Sequence, residues 1–222
     1  KELLEKNRQV DFSFGYENKA RFRGNAFYQQ GMLSVALRHI PIRIRSLEEL
    51  GLPSVLEDFA QRNQGFFLVV GPTGQGKTTT LATLIDIINT NRLEHIITIE
   101  DPIEYTHKQK KAIIDQRQVR TDTPDFPTAL EGSFRQDPDV IMVGEMRSPQ
   151  TIAAAVTAAE TGHLVFSTLH TNTASQTIDR IIDSFPPNQQ GQIRLQLASS
   201  LAGIFSQRLV PRISGGLIPA YE

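Results

Sequence analysis

The chain has 222 residues, enough for one large domain or a core domain with a smaller companion, and its 39% hydrophobic and 21% charged residues suit a globular protein. It contains no cysteine, which excludes disulfides, thiolate zinc sites and thiol chemistry. A net charge of −1 lacks the basic excess of a nucleic-acid-binding domain, no signal-peptide pattern opens the chain, and no apolar run approaches the roughly 18 residues of a membrane span.

Residues 1–45 read as β-rich. Val10 to Phe14 and Ala20 to Tyr28 alternate apolar and polar side chains, a third run spans Leu33 to Ile40, and Gly15 with Asn18 and Gln30-Gly31 mark the turns. This predicts an antiparallel sheet with one wet face, the second half of a domain rather than an independent core. The start at Lys1 and the abrupt end at Tyr221-Glu222 are those expected of a piece of a longer protein. In residues 46–64 a helix is expected from Leu47 toward Gln61, interrupted near Gly51-Leu52-Pro53, with Ser54 capping its second part and Glu57 completing a capping box.

From Gly65 the pattern changes. The apolar runs Phe66–Val70, Ile96–Ile99, Val140–Val143 and Leu164–Leu169 do not alternate, as expected of strands buried on both faces of a parallel sheet. Helical stretches fall between and after them, at about 77–91, 126–136, 149–161, 174–184 and 189–208. Residues 65–222 therefore predict an α/β domain with a mainly parallel sheet. The basic cluster Lys108, Lys110 and Lys111 reads as a solvated turn.

Between the first such strand and its helix, Gly71-Pro72-Thr73-Gly74-Gln75-Gly76-Lys77-Thr78 fits G-x-x-x-x-G-K-[ST] at every fixed position. Glycines let the backbone turn and approach closely, and the helix N-terminus adds inward N–H groups, which together make an anion site. Lys77 would reach the β- and γ-phosphates of ATP, the Thr78 hydroxyl would bind Mg²⁺, and Thr79 follows on the same turn. An ordinary glycine-rich turn is the competing reading, and the strand-loop-helix context argues against it.

The other three runs also end in polar residues: Glu100-Asp101, Gly144-Glu145 and His170. Ligands of parallel sheets sit at the carboxyl ends of strands, so these groups should share one crevice with the loop. Glu145 is the expected activator of the attacking water. Gly144 stands where a magnesium-binding Asp is usual, so Glu145 would contact Mg²⁺ through water. Glu104 and His170 are expected to support or sense the γ-phosphate, whereas Glu100 and Asp101 suit either function or a turn. Asp137, Asp139 and His163 belong to the opposite end of the sheet, and His39, His95 and His107 read as ordinary surface residues. Arg21, Arg23 and Arg38 could stabilise phosphoryl-transfer charge or simply occupy a wet sheet face.

Taken together, four blocks resemble the type II/IV secretion ATPases, on the branch that retracts type IV pili in twitching motility. They are the phosphate loop; Ile97-Thr98-Ile99-Glu100-Asp101-Pro102-Ile103-Glu104-Tyr105, like the family's Asp box; Asp137 through Arg147, like its atypical Walker B segment; and Thr157 through Thr171, like its His box. Pilus-assembly and type II secretion members typically carry a tetracysteine zinc insertion, which a chain without cysteine cannot have. The resemblance implies a RecA-like ATPase domain at 65–222, preceded by the end of a PAS-like α+β domain at 1–45. It implies ATP and Mg²⁺ as cofactors, a homo-hexameric ring, and nucleotide held between two domains with arginines of the N-terminal one completing the site. It also implies a cytoplasmic location, peripheral to the inner membrane through a pilus platform protein, with no nucleic-acid partner. The alternatives are a pilus-assembly or type II secretion ATPase, a nucleotide-dependent regulatory module, and a DNA translocase. One departure, Glu131-Gly132-Ser133-Phe134, should weaken the helix before the Walker B strand, and the family's Ala-Ile-Arg-Asn-Leu motif is not within the chain.

Overall fold

A computed structural model describes residues 2–17 and 19–222; Asn18, expected to help turn the first hairpin, lies outside the described residues. A short helix α1 (Glu2–Asn7) leads into strands β1 (Gln9–Tyr16), β2 (Ala20–Gln29) and β3 (Met32–Ile40), which form an antiparallel sheet in sequence order. Its register puts Ser13 opposite Arg23 and Arg23 opposite Arg38, gathering the polar side chains on one face. That face turns toward the rest of the chain: Arg21 Nη2 donates to Ile103 O at 3.0 Å, and Arg23 pairs with Glu104. The outward face is apolar, with Phe14, Tyr16, Leu33, Val35 and Leu37 exposed. The sheet thus has its polar face inward, the reverse of a simple one-sided core.

Two short helices follow, α2 (Leu47–Leu50) and α3 (Val55–Ala60). The capping box is made by Ser46 with Glu49, not by Ser54 with Glu57. Ser54 already has helical dihedrals (φ −62°, ψ −25°), because Pro53 opens the turn, and its side chain makes no cap bond. Gly51 closes α2 in the left-handed region that glycine tolerates best.

The larger unit begins with β4 (Gly65–Val70) and α4 (Lys77–Asn91), then β5 (His95–Glu100), β6 (Ile113–Gln118), α5 (Phe126–Ser133), β7 (Val140–Val143), α6 (Pro149–Glu160), β8 (Leu164–Leu169), α7 (Ala174–Asp183), α8 (Pro187–Ser200), β9 (Leu201–Pro211) and β10 (Leu217–Tyr221). The sheet order is β10-β9-β4-β8-β7-β5-β6, parallel except for the β9–β10 hairpin. Alternate residues of the central strands feed two cores. Phe66, Leu68, Val70, Ile97, Ile141 and Val165 pack with α5 to α8, while Phe67, Val69, Ile96, Val140 and Phe166 pack with α2 to α4. This double burial is why the strands read as unbroken apolar runs. Leu81, Leu84, Ile85 and Ile88 form the buried stripe of α4, and Ile152, Ala155, Val156 and Ala159 that of α6, at the helical period.

Three expectations are corrected. The helix expected at 189–208 stops at Ser200, and residues 201–211 form strand β9 beside β4. Ile193, Leu197, Leu201 and Ile204 carry a helical spacing into it, but Gly203 lies against the Phe59 and Phe67 rings, where a Cβ would come within 2.9 Å of Phe59. The helix expected at 126–136 ends at Ser133, directly after Gly132, with Arg135 and Gln136 in turns. His107 is buried rather than on the surface, and enclosure lowers its pKa to about 4, so it is neutral. His95 sits at the far end of the sheet, bonded to Asp115 and the Asp137 carbonyl.

Candidate active site

The carboxyl ends of β4, β5, β7 and β8 open onto a cavity of about 460 Å³ walled in part by Lys77, Thr78, Glu104, Glu145 and His170. The polar face of the small sheet contributes Arg23 and Arg38 to the same walls, whereas Arg21 is turned aside onto Ser13 and Ile103. Thr73, Gly74, Gly76 and Thr79 also reach the cavity; Gly71, Pro72 and Gln75 do not, and shape the loop from behind.

The loop takes left-handed dihedrals at Gly71, Gly74 and Gly76 (φ +147°, +78° and +84°). Gly76 is the N-cap of α4, with no side-chain cap, so the first N–H groups of the helix face the cavity unpartnered by a cap. Lys77 is buried, and its ammonium donates to Gly71 O at 2.7 Å and Pro72 O at 2.9 Å. Burial lowers its pKa, and the Glu145 carboxylate partly opposes that.

Lys77 also lies 3.3 Å from His170 Nδ1. An ammonium only donates, so Nδ1 accepts and the ring proton is on Nε2, which points at Glu145 across 3.6 Å. Glu145 meets Arg147 Nε at 2.9 Å on its other oxygen. Glu104 is held by Arg23 at 2.9 Å. Asp101 pairs with Arg120 at 3.3 Å, although burial raises its pKa. The Thr79 hydroxyl bonds Tyr105, tying α4 to the loop that carries Glu104. Arg147 and Tyr105 were legible only as parts of their motifs; nothing local marks them as partners of these groups.

Glu100 is enclosed at the end of β5, accepting hydrogen bonds from Thr98 Oγ1 at 2.7 Å and Gln116 Nε2 at 3.1 Å. Gln116 in turn binds Tyr105 O and His107 N, so Glu100 and Gln116 brace the loop bearing Glu104. Burial pushes the Glu100 carboxyl up to about 7, against the pull of these bonds. A carboxyl with a raised pKa keeps its proton in the folded state after the unfolded chain has lost it. Its contribution is fully present below the unfolded value of 4.5 and is lost as pH rises through about 7. Glu100→Gln should therefore gain stability relative to wild type on going from pH 5 to pH 8, by on the order of 2–3 kcal/mol. Denaturant midpoints at the two pH values test this, and a pH-independent difference would refute it.

Among the described residues, no group of three His, Asp or Glu could hold a metal by itself. The glycine cradle, the uncapped helix start and the Lys77 ammonium suit a polyphosphate, and the exposed Thr78 hydroxyl is a hard oxygen donor of the kind Mg²⁺ takes alongside phosphate oxygens.

The family described as Type II/IV secretion system protein matches residues 7–215. Over 214 residues, 96% of this chain, it is 48% identical to the type IV pilus retractation ATPase PilT of Pseudomonas aeruginosa, of which it covers 62%. Over its full length it is 48% identical to a twitching motility protein of Neisseria gonorrhoeae, covering 60% of that protein. The crystal structure of the pilus retraction motor PilT with bound ADP superposes with a TM-score of 0.94 and 56% identity, covering 100% of this chain and 64% of that one. The chain thus spans somewhat under two thirds of the length of these relatives.

Proposed function

The chain belongs to the Type II/IV secretion system protein family, and from that membership we propose that it is the nucleotide-hydrolysing part of a motor that retracts type IV pili. The observation that carries this reading is the convergence of four strand ends, a phosphate loop and a carboxylate on one cavity. In this reading residues 65–222 are the ATPase domain, 46–64 a connector, and 1–45 the part of a PAS-like domain that brings Arg23 and Arg38 to the site.

ATP binds with its phosphates on the backbone N–H groups of the cavity-facing part of the loop, Thr73, Gly74 and Gly76 to Thr79, and Lys77 exchanges the Gly71 and Pro72 carbonyls for phosphate oxygens. Thr78, and Glu145 through water, would hold Mg²⁺, which would supply charge neutralisation at the phosphates. Glu145 takes a proton from the attacking water, and Arg147 keeps that carboxylate aimed. His170, already between Lys77 and Glu145, donates from Nε2 and reports the γ-phosphate. Arg23 leaves Glu104 to meet the developing negative charge, with Arg38 beside it. The working form is a homo-hexamer on the cytoplasmic side, turning a platform protein of the inner membrane.

Phosphate release by the intact protein tests the reading. Turnover with ATP and Mg²⁺ is expected, falling by roughly 10²-fold or more when EDTA removes the metal. A flat trace from assembled protein would leave only a regulatory role. A strain lacking the gene should carry excess pili; a bald strain would make the protein an assembly motor instead.

A further inference from the structure

Lys77 ties down the first half of the phosphate loop through the Gly71 and Pro72 carbonyls, and the group that holds its second half comes from β9. Gln207 is 3% exposed and lies outside the cavity walls. Its Nε2 donates to Gln75 O at 2.7 Å, and its Oε1 accepts from Thr80 Oγ1 at 2.7 Å. The contact is reciprocal: the Gln75 side chain accepts from Leu209 N at 2.6 Å. Two loop glycines are shaped around the same residue. A Cβ on Gly71 would overlap the Gln207 carbonyl oxygen, and one on Gly76 would come within 2.7 Å of Gln207 Nε2.

We infer that Gln207 is the positioning residue of the phosphate loop, fixing the direction of the Gln75–Gly76 peptide and so the aim of the Gly76 N–H at the phosphates. In a trans peptide the C=O and N–H point opposite ways. With the Gln75 carbonyl tethered to β9, behind the loop, the Gly76 N–H points forward into the cavity. The Gln75 carbonyl, which can only accept, fixes which end of the carboxamide faces the loop, and the Thr80 hydroxyl, one turn into α4, donates to the remaining Oε1 and holds it there. The loop, the start of α4 and the β9–β10 hairpin thereby move as one piece, and any displacement of that hairpin is felt at the phosphates.

The inference rests on the nucleotide reading of the site, and the experiment separates the two. Binding of fluorescent ADP and steady-state hydrolysis are measured on the intact wild-type protein, Gln207→Glu and Thr80→Val, with denaturant midpoints for each. A carboxylate keeps the shape of Gln207 but cannot donate to the Gln75 carbonyl. Gln207→Glu should weaken ADP roughly 10-fold or more and raise KM by a similar factor, with kcat at saturation within about 3-fold, because loop amides grip the ground and transition states alike. Thr80→Val should show part of the same loss, and the two changes together less than their sum. Unaltered ADP affinity in folded variants, with only a lower midpoint, would reduce Gln207 to a packing residue. Failure of the wild-type protein to bind ADP would instead remove the nucleotide reading itself.

Discussion

Glu145→Gln is expected to lower kcat of the intact protein by roughly 10²–10⁴-fold while leaving ADP affinity within a few-fold. Glutamine keeps the shape and an oxygen for Arg147 Nε, so the local packing survives and the proton acceptor alone is lost. The neighbouring carboxylates have other partners in this structure. Glu104 is paired with Arg23 and Asp101 with Arg120, while Glu100 is buried and accepts from Thr98 and Gln116. Glu145 is the carboxylate whose charge reaches Lys77, and it faces the protonated edge of His170. Single-turnover hydrolysis, which reads chemistry rather than product release, is the decisive measurement. A single-turnover rate within about 3-fold of wild type would assign the water to another base.

The second large effect is on the loop itself. Gly71→Ala should destabilise the protein by on the order of 2–5 kcal/mol and abolish measurable ADP binding. Two causes add. At φ +147° an alanine is strained, and its methyl would run into the Gln207 carbonyl oxygen. Neither backbone can retreat, because Gly71 follows β4 and Gln207 is in β9, with Val70 opposite Ser206 in the ladder. Gly74→Ala supplies the comparison: its φ is +78°, but a Cβ there has open space, so about 1–2 kcal/mol is expected from backbone strain alone. Equal losses in the two variants would mean that crowding by β9 contributes nothing.

Much of the site was readable because its signals are local. Lys77 and Thr78 follow a strand and open a helix, and strand ends in a parallel sheet gather at one edge, so Glu145 and His170 could be brought to the loop by topology alone. The arginines show where this stops. Arg21 and Arg23 are two residues apart on the same sheet face, yet one enters the cavity wall and the other is spent on Ser13 and Ile103. Residue type does not distinguish them; which group of the loop after β5 lies opposite each one, the Ile103 carbonyl or the Glu104 carboxylate, does. Ser46 and Ser54 differ in the same way, since only one has the extended dihedrals a cap requires.

The glycine loop, the doubly buried strands and Glu145, the carboxylate proposed to activate water, were legible in the sequence, because each is written in a few adjacent residues whose backbone or burial needs are specific. What holds those parts in place is set by contacts between distant segments. Residues 201–211 became a strand because β4 offered an unpaired edge, and Gln207 then fell beside a loop 132 positions earlier in the chain. A carboxamide's partners are set by which strand lies next to which, and no local spacing encodes that neighbour.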